Sequence, residues 1–167
     1  MSYKEKPNKV GNSINEANEP MLIYNKSGSL NPFYNLLAGI SIKPSNDFDI
    51  VKLARQGFPK RMLLALAKKI SLNIQELANI LHISERTLQR YDDNEIIKTE
   101  YAEKAVELAR LYTRGEDVFG SMDKFKLWMK APGIVFKGEA PIELLDTSAG
   151  FDLVFKELGR IEHGIFA

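Results

Sequence analysis

Residues 73–91, NIQELANILHISERTLQRY, hold two short helical patterns separated by a turn. Leu77, Ala78 and Leu81 are spaced for one buried face, and Ala78 is small where two helices have to approach closely. Ile83 falls in the turn, Ser84 is placed to cap the second helix, and Leu88 and Tyr91 point back inward. Two short helices joined in this way form a helix-turn-helix, whose second helix enters the major groove of DNA with its N-terminal residues at the base edges. The residues left outside are Ser84, Glu85, Arg86, Thr87, Gln89 and Arg90. Arginine suits guanine, glutamine suits adenine, and hydroxyls suit phosphates or bases. The turn position often filled by glycine is His82 here, which reads as a turn residue rather than a ligand. The same spacing also fits two ordinary packed helices with a solvated outer face.

Charge separates these readings. Residues 51–91 carry eight basic side chains against Glu76 and Glu85, a balance of +6, whereas residues 1–50 balance to zero and residues 92–167 to −5. A basic block around a helix-turn-helix favours a polyanion as partner, and an acidic block beside it suggests a segment with a different task. Operator DNA is therefore the expected partner of the first block. The acidic block is expected to supply most of the self-contact of a homodimer and to face away from the phosphates.

The rest of the chain is helical from about residue 46. In SNDFDIVKLARQG, Ser45 or Asn46 offers an N-cap and Gly57 a stop; Pro59 then opens PKRMLLALAKKI. KTEYAEKAVELARLYTRG reads as a long helix ending at Gly115, with Ala102, Ala105, Val106, Ala109 and Tyr112 on one face. SMDKFKLWMK, 121–130, groups Phe125, Trp128 and Met129, and Pro132 ends it. GIVFKGEA is short and β-branched, which suggests a strand or an extended loop; Pro141 opens a helical turn, PIELLD. A last helix over 147–163 places Phe151, Val154, Phe155, Leu158 and Ile161 on its face. Residues 1–19 are polar and aperiodic and read as disordered, and 20–45 as a short helix with irregular flanks. The fold class expected is all-α: an N-terminal extension over 1–45, a helix-turn-helix domain over 46–115, and a small helical domain over 116–167.

Several chemistries are poorly supplied. There is no cysteine, and His82 and His163 are the only histidines, so no thiolate site or metal cluster is expected. Glu162 and His163 are adjacent on a helix and point apart, which argues against a metal pair. No nucleophile–base pair or glycine-rich phosphate loop is present, so neither an enzyme nor a cofactor is expected. No apolar run is long enough to span a membrane and no leader is visible, which makes the cytoplasm the expected location.

With these residues in view, the chain closely resembles the Xre/MbcA/ParS family of antitoxins. The likeness rests on SERTLQR, DVFGSMDKFKLWMKAP, GEAPIELLDT and GRIEHGIFA, and runs over roughly residues 46–167. Phe119, Gly120, Trp128, Pro132, Gly138, Pro141, Thr147, Gly150 and the closing Arg160-Ile161-Glu162-His163-Gly164 carry it. GIVFKG departs from relatives, which often have asparagine and small residues there. The resemblance implies a non-catalytic type II antitoxin that blocks a RES-domain toxin, a protein similar to ADP-ribosyltransferases that attacks NAD. Phe136, Phe155, Ile165 and Phe166 are apolar groups that a small helical domain struggles to bury, whereas Phe125 and Trp128 read as core. Phe136, Arg160, Glu162, His163, Ile165, Phe166 and Ala167 are accordingly the expected toxin contacts. For Arg160 and Glu162 a surface salt-bridge pair, or capping of the acidic loop, is the plainer alternative. For the whole chain the alternative is a free-standing helix-turn-helix regulator whose C-terminal domain dimerises or senses a signal.

Overall fold

The structure is a computed structural model that describes residues 47–165. The expectations for residues 1–46, and those for Phe166 and Ala167, lie outside the described residues. Among the described residues seven α-helices and two 3-10 helices follow one another: α1 Asp47–Gln56, α2 Lys60–Lys69, α3 Ile74–Leu81, α4 Glu85–Arg90, α5 Thr99–Phe119, α6 Met122–Lys130, 3-10 helices at Ile134–Phe136 and Pro141–Asp146, and α7 Ser148–Glu162. The fold is all-α, as the periodicity indicated. Among the described residues the one β-type contact is an isolated antiparallel bridge between Pro59 and Ile96.

The long helix α5 is the axis of the described residues, with α1, α2, α3, α6 and α7 packed against it. Ala102, Ala105, Val106, Ala109 and Tyr112 are all buried on its inner face. Small residues dominate the first half of that face, which lets neighbouring helices come close. Gly57 ends α1 with φ +70, and its amide donates to the Leu53 carbonyl at 3.0 Å. Pro59 is extended and sits just ahead of α2, where the bridge to Ile96 ties the loop after α4 to the start of α2.

Two elements differ from the sequence expectation. The helix expected to stop at Gly115 continues to Phe119 and ends at Gly120, which has φ +66. Gly115 is buried inside the helix because the Phe125 ring lies over it: a Cβ there would fall 2.4 Å from three ring atoms. GIVFKGEA is neither strand nor extended loop. Ile134–Phe136 form a 3-10 turn, and Lys137 follows in the left-handed region at φ 56. The β-branched pair lost to the burial of Phe136, which pulls the chain into a tight bend.

Tyr112 is fully buried and meets Phe125 edge-on, ring centroids 5.1 Å apart. Its hydroxyl has no hydrogen-bond partner among the described residues. Burial pushes that hydroxyl well above the ordinary tyrosine range. A buried unsatisfied hydroxyl costs about 1 kcal/mol or more. Tyr112→Phe should therefore raise the melting temperature by about 2–4 °C per kcal/mol recovered. The sign with pH follows from the raised value: the folded state keeps a proton that the unfolded chain releases near pH 10, so stability from this group is complete below that pH and declines above it. The advantage of the variant should widen above about pH 10; a thermal melt showing Tyr112→Phe below wild type at neutral pH would contradict this reading.

Candidate functional site

Asn73 starts α3 with a reciprocal cap. Its Oδ1 accepts from the Glu76 amide at 2.8 Å, and Glu76 Oε2 accepts from the Asn73 amide at 2.8 Å. Leu77, Ala78, Ile80 and Leu81 are buried, which fixes the angle at which α3 leaves the core. His82 then turns the chain with φ 55, a left-handed residue in the place where glycine is common. The His82 amide donates to the Asn79 carbonyl at 3.1 Å and the Ile83 amide to the Ala78 carbonyl at 3.0 Å. Its imidazole Nε2 contacts the backbone carbonyl of Asp146, so the turn is held from the C-terminal half of the molecule.

Ser84 caps α4 by accepting from the Thr87 amide at 3.0 Å, and the two hydroxyls lie 2.7 Å apart. Leu88 is buried and pins this short helix to the core. Ser84, Glu85, Arg86, Thr87, Gln89 and Arg90, the six side chains expected at DNA, are all exposed. Arg86 and Arg90 stand one turn apart on α4, and neither has an ion-pair partner among the described residues. Tyr91 packs inward, and its carbonyl accepts from Lys60 Nζ at 2.7 Å. Lys60 also pairs with Asp93 at 3.4 Å, which fastens the segment after α4 to α2.

On the C-terminal side, Thr147 caps α7 by accepting from the Gly150 amide at 3.0 Å. Phe151, Val154 and Leu158 are buried, and Lys104 of α5 lies 4.7 Å from the centre of the Phe151 ring. Arg160 pairs with Glu157 at 3.4 Å, and Glu162 pairs with Arg114 of α5. They are therefore not partners of each other; each is held by a different neighbour. His163 is exposed, Gly164 turns the chain with φ +66, and Ile165 is 55 % exposed. Arg160, Glu162, His163 and Ile165 thus gather at one end of α7.

Phe136 does not join them. It is 5 % exposed and meets Trp128 edge-on at 5.9 Å, the last ring of an aromatic chain that includes Phe119 and Phe125. The side chain expected at an interface is instead part of the core, because the 3-10 turn folds it under Trp128. Sequence reasoning missed its neighbour Ile134, which is 98 % exposed. The available signal was the bracketing by Gly133 and Gly138, which marks a turn rather than a strand. It also missed the seam between the two halves. There Lys130 donates to the Ser71 carbonyl at 3.1 Å and pairs with Glu76 at 3.0 Å, beside the contact of His82 with Asp146.

Comparison with known families gives two matches. Residues 49–110 match the antitoxin Xre-like helix-turn-helix domain, and residues 114–164 match the antitoxin Xre/MbcA/ParS C-terminal toxin-binding domain. No curated protein matches the chain.

Proposed function

We propose, because this chain belongs to the Xre/MbcA/ParS-type antitoxins, that it neutralises a RES-like, NAD-degrading toxin by covering its active site and represses its own operon by binding operator DNA. The observation that carries this reading is the presence, in one chain, of a toxin-binding match over 114–164 and an antitoxin helix-turn-helix match whose reading helix lies open. The toxin-binding match favours this reading over that of a free-standing regulator. The choice of a RES-like toxin rests on the family resemblance, whose most specific part is the closing Arg160-Ile161-Glu162-His163-Gly164.

In this reading the protein acts in the cytoplasm, without a reaction or cofactor of its own. Among the described residues no helix is long and apolar enough to cross a membrane. Two copies associate as a homodimer and present two α4 helices to an inverted repeat, with half-sites about 34 Å apart. The end of α7 meets the toxin: Arg160, Glu162 and His163 supply polar contacts, and the stretch from Ile165 to Ala167 enters or caps the cleft that holds the dinucleotide. The ion pairs of Arg160 with Glu157 and of Glu162 with Arg114 fix those side chains before the toxin arrives, which lowers the ordering cost of binding.

Removal of residues 165–167 tests the mechanism. An apolar anchor at the centre of an interface is worth about 2 kcal/mol or more, so the truncated protein should neutralise the toxin poorly. Its operator binding and melting temperature should stay close to wild type, because Ile165 is more than half exposed. The measurement is growth rescue during co-expression with the RES-domain toxin proposed as its partner, alongside a thermal melt. Full rescue by the truncation would remove the tail from the mechanism. Lost rescue with a melting point many degrees lower would assign the tail a structural role.

A further inference from the structure

Ile134 stands at the tip of the turn between α6 and the second 3-10 helix, and at 98 % it is the most exposed large apolar side chain among the described residues. A side chain of this size forgoes its burial energy entirely when left in water. A floppy loop would make that unremarkable, but this turn is fixed. The Gly133 amide donates to the Glu139 carbonyl at 3.1 Å, and the Gly138 amide returns to the Gly133 carbonyl at 3.0 Å. The Phe136 amide donates to the Gly133 carbonyl at 3.0 Å, and the Lys137 amide to that of Ile134 at 3.0 Å. Beneath them Phe136 is buried against Trp128, and a Cβ on Gly133 would come within 3.0 Å of the Phe136 ring. The core therefore holds the turn from below and points Ile134 outward, flanked by the partly exposed Val135 and the exposed Lys137.

We propose that Ile134 is a second anchor for the toxin, apart from the end of α7, and fits an apolar pocket on the toxin surface with an acidic group near enough to meet Lys137. The inference rests on the toxin-binding reading above. Its place in the chain supports that partner. The turn lies inside the stretch that matches a toxin-binding domain, where the exposed Leu127, Val135 and Leu153 leave further apolar surface uncovered. A side chain already held in place loses little conformational freedom on binding, which is the property of an efficient anchor. Because the turn is built by backbone bonds and by Phe136, the identity of residue 134 is free to vary without disturbing the fold, and it is suited to set which toxin is accepted.

The test is calorimetric titration of the full-length protein with the RES-domain toxin proposed as its partner, using wild type, Ile134→Asp, Ile134→Ala and the control Ile96→Ser. Ile96 is also exposed, at 54 %, but lies in the helix-turn-helix half. Ile134→Asp should weaken toxin binding by about tenfold or more and Ile134→Ala by less, with Ile96→Ser unchanged and all melting temperatures close to wild type. Equal affinity of Ile134→Asp and wild type would overturn the inference and leave the toxin-binding reading standing. Absence of binding by wild type would overturn that reading and the anchor with it. A smaller mass for free Ile134→Asp in light scattering, with toxin affinity intact, would assign the turn to contact between copies and overturn the proposal.

Discussion

Replacing Gly115 with alanine should destabilise the protein by about 2 kcal/mol, and replacing Gly150 should cost more, although both exchanges put the best helix former into a helix. In an unobstructed helix interior, glycine to alanine gains about 1 kcal/mol. Here the added Cβ has no room. At Gly115 it would fall 2.4 Å from three atoms of the Phe125 ring. That ring cannot slide away, because Tyr112, Phe119 and Trp128 hold it at centroid distances of 5.1, 5.7 and 5.7 Å. Overpacking a closed core costs about 1–3 kcal/mol and sometimes more, so the steric term exceeds the propensity gain. At Gly150 the obstacle is backbone: the Leu144 carbonyl oxygen would lie 1.7 Å away. Relief there requires α7 to move off the second 3-10 helix, disturbing the Thr147 cap and the Asp146 carbonyl that touches His82. In thermal melts Gly115→Ala should fall about 4–8 °C below wild type and Gly150→Ala further. A melting temperature at or above wild type for either variant would show that the helices are not packed as described.

The same glycines show what could be read from the sequence and what could not. The helix-turn-helix was legible because its signals are local: Ser84 is a cap, Leu77, Ala78, Leu81 and Leu88 have helical spacing, and these positions fold as that pattern dictates. The overall helical class was legible for the same reason. Gly115 was not, since a glycine late in a helical pattern means a stop or a close approach, and only Phe125, ten residues on, decides which. In the turn at 133–138, Ile134 and Val135 favour extended backbone locally, and the burial of Phe136 overrides them. The local pattern therefore points to Phe136 as a contact, whereas the folded turn buries Phe136 and exposes Ile134. For Arg160 and Glu162 the spacing showed charges near a helix end, whereas their partners Glu157 and Arg114 depend on how α7 lies against α5. The expected contacts Phe166 and Ala167 lie outside the described residues.

Loss of both recognition-helix arginines should abolish tight operator binding without unfolding the protein. Helix α4 has six residues and is held by the Ser84 cap and by the buried Leu88, neither of which involves Arg86 or Arg90. Both arginines are exposed and stand one turn apart, so alanine at both removes two cations from the outer surface and no packing. A bidentate contact between arginine and guanine is worth about 1–3 kcal/mol of discrimination. The double variant should accordingly bind the operator about a hundredfold more weakly or worse, with toxin neutralisation unchanged because the end of α7 is untouched. Lysine replacements separate the two ways an arginine can act. A phosphate contact needs only charge, which lysine keeps, whereas paired donors to one base edge need the planar fork of the guanidinium. Arg86→Lys should therefore retain most binding to random DNA while losing preference for the operator. Fluorescence anisotropy at one fixed salt concentration reads both affinities, since phosphate contacts make either value depend on salt. If the double alanine variant binds the operator as tightly as wild type, α4 is not the reading helix, and the basic surface of residues 51–91 meets DNA through another face.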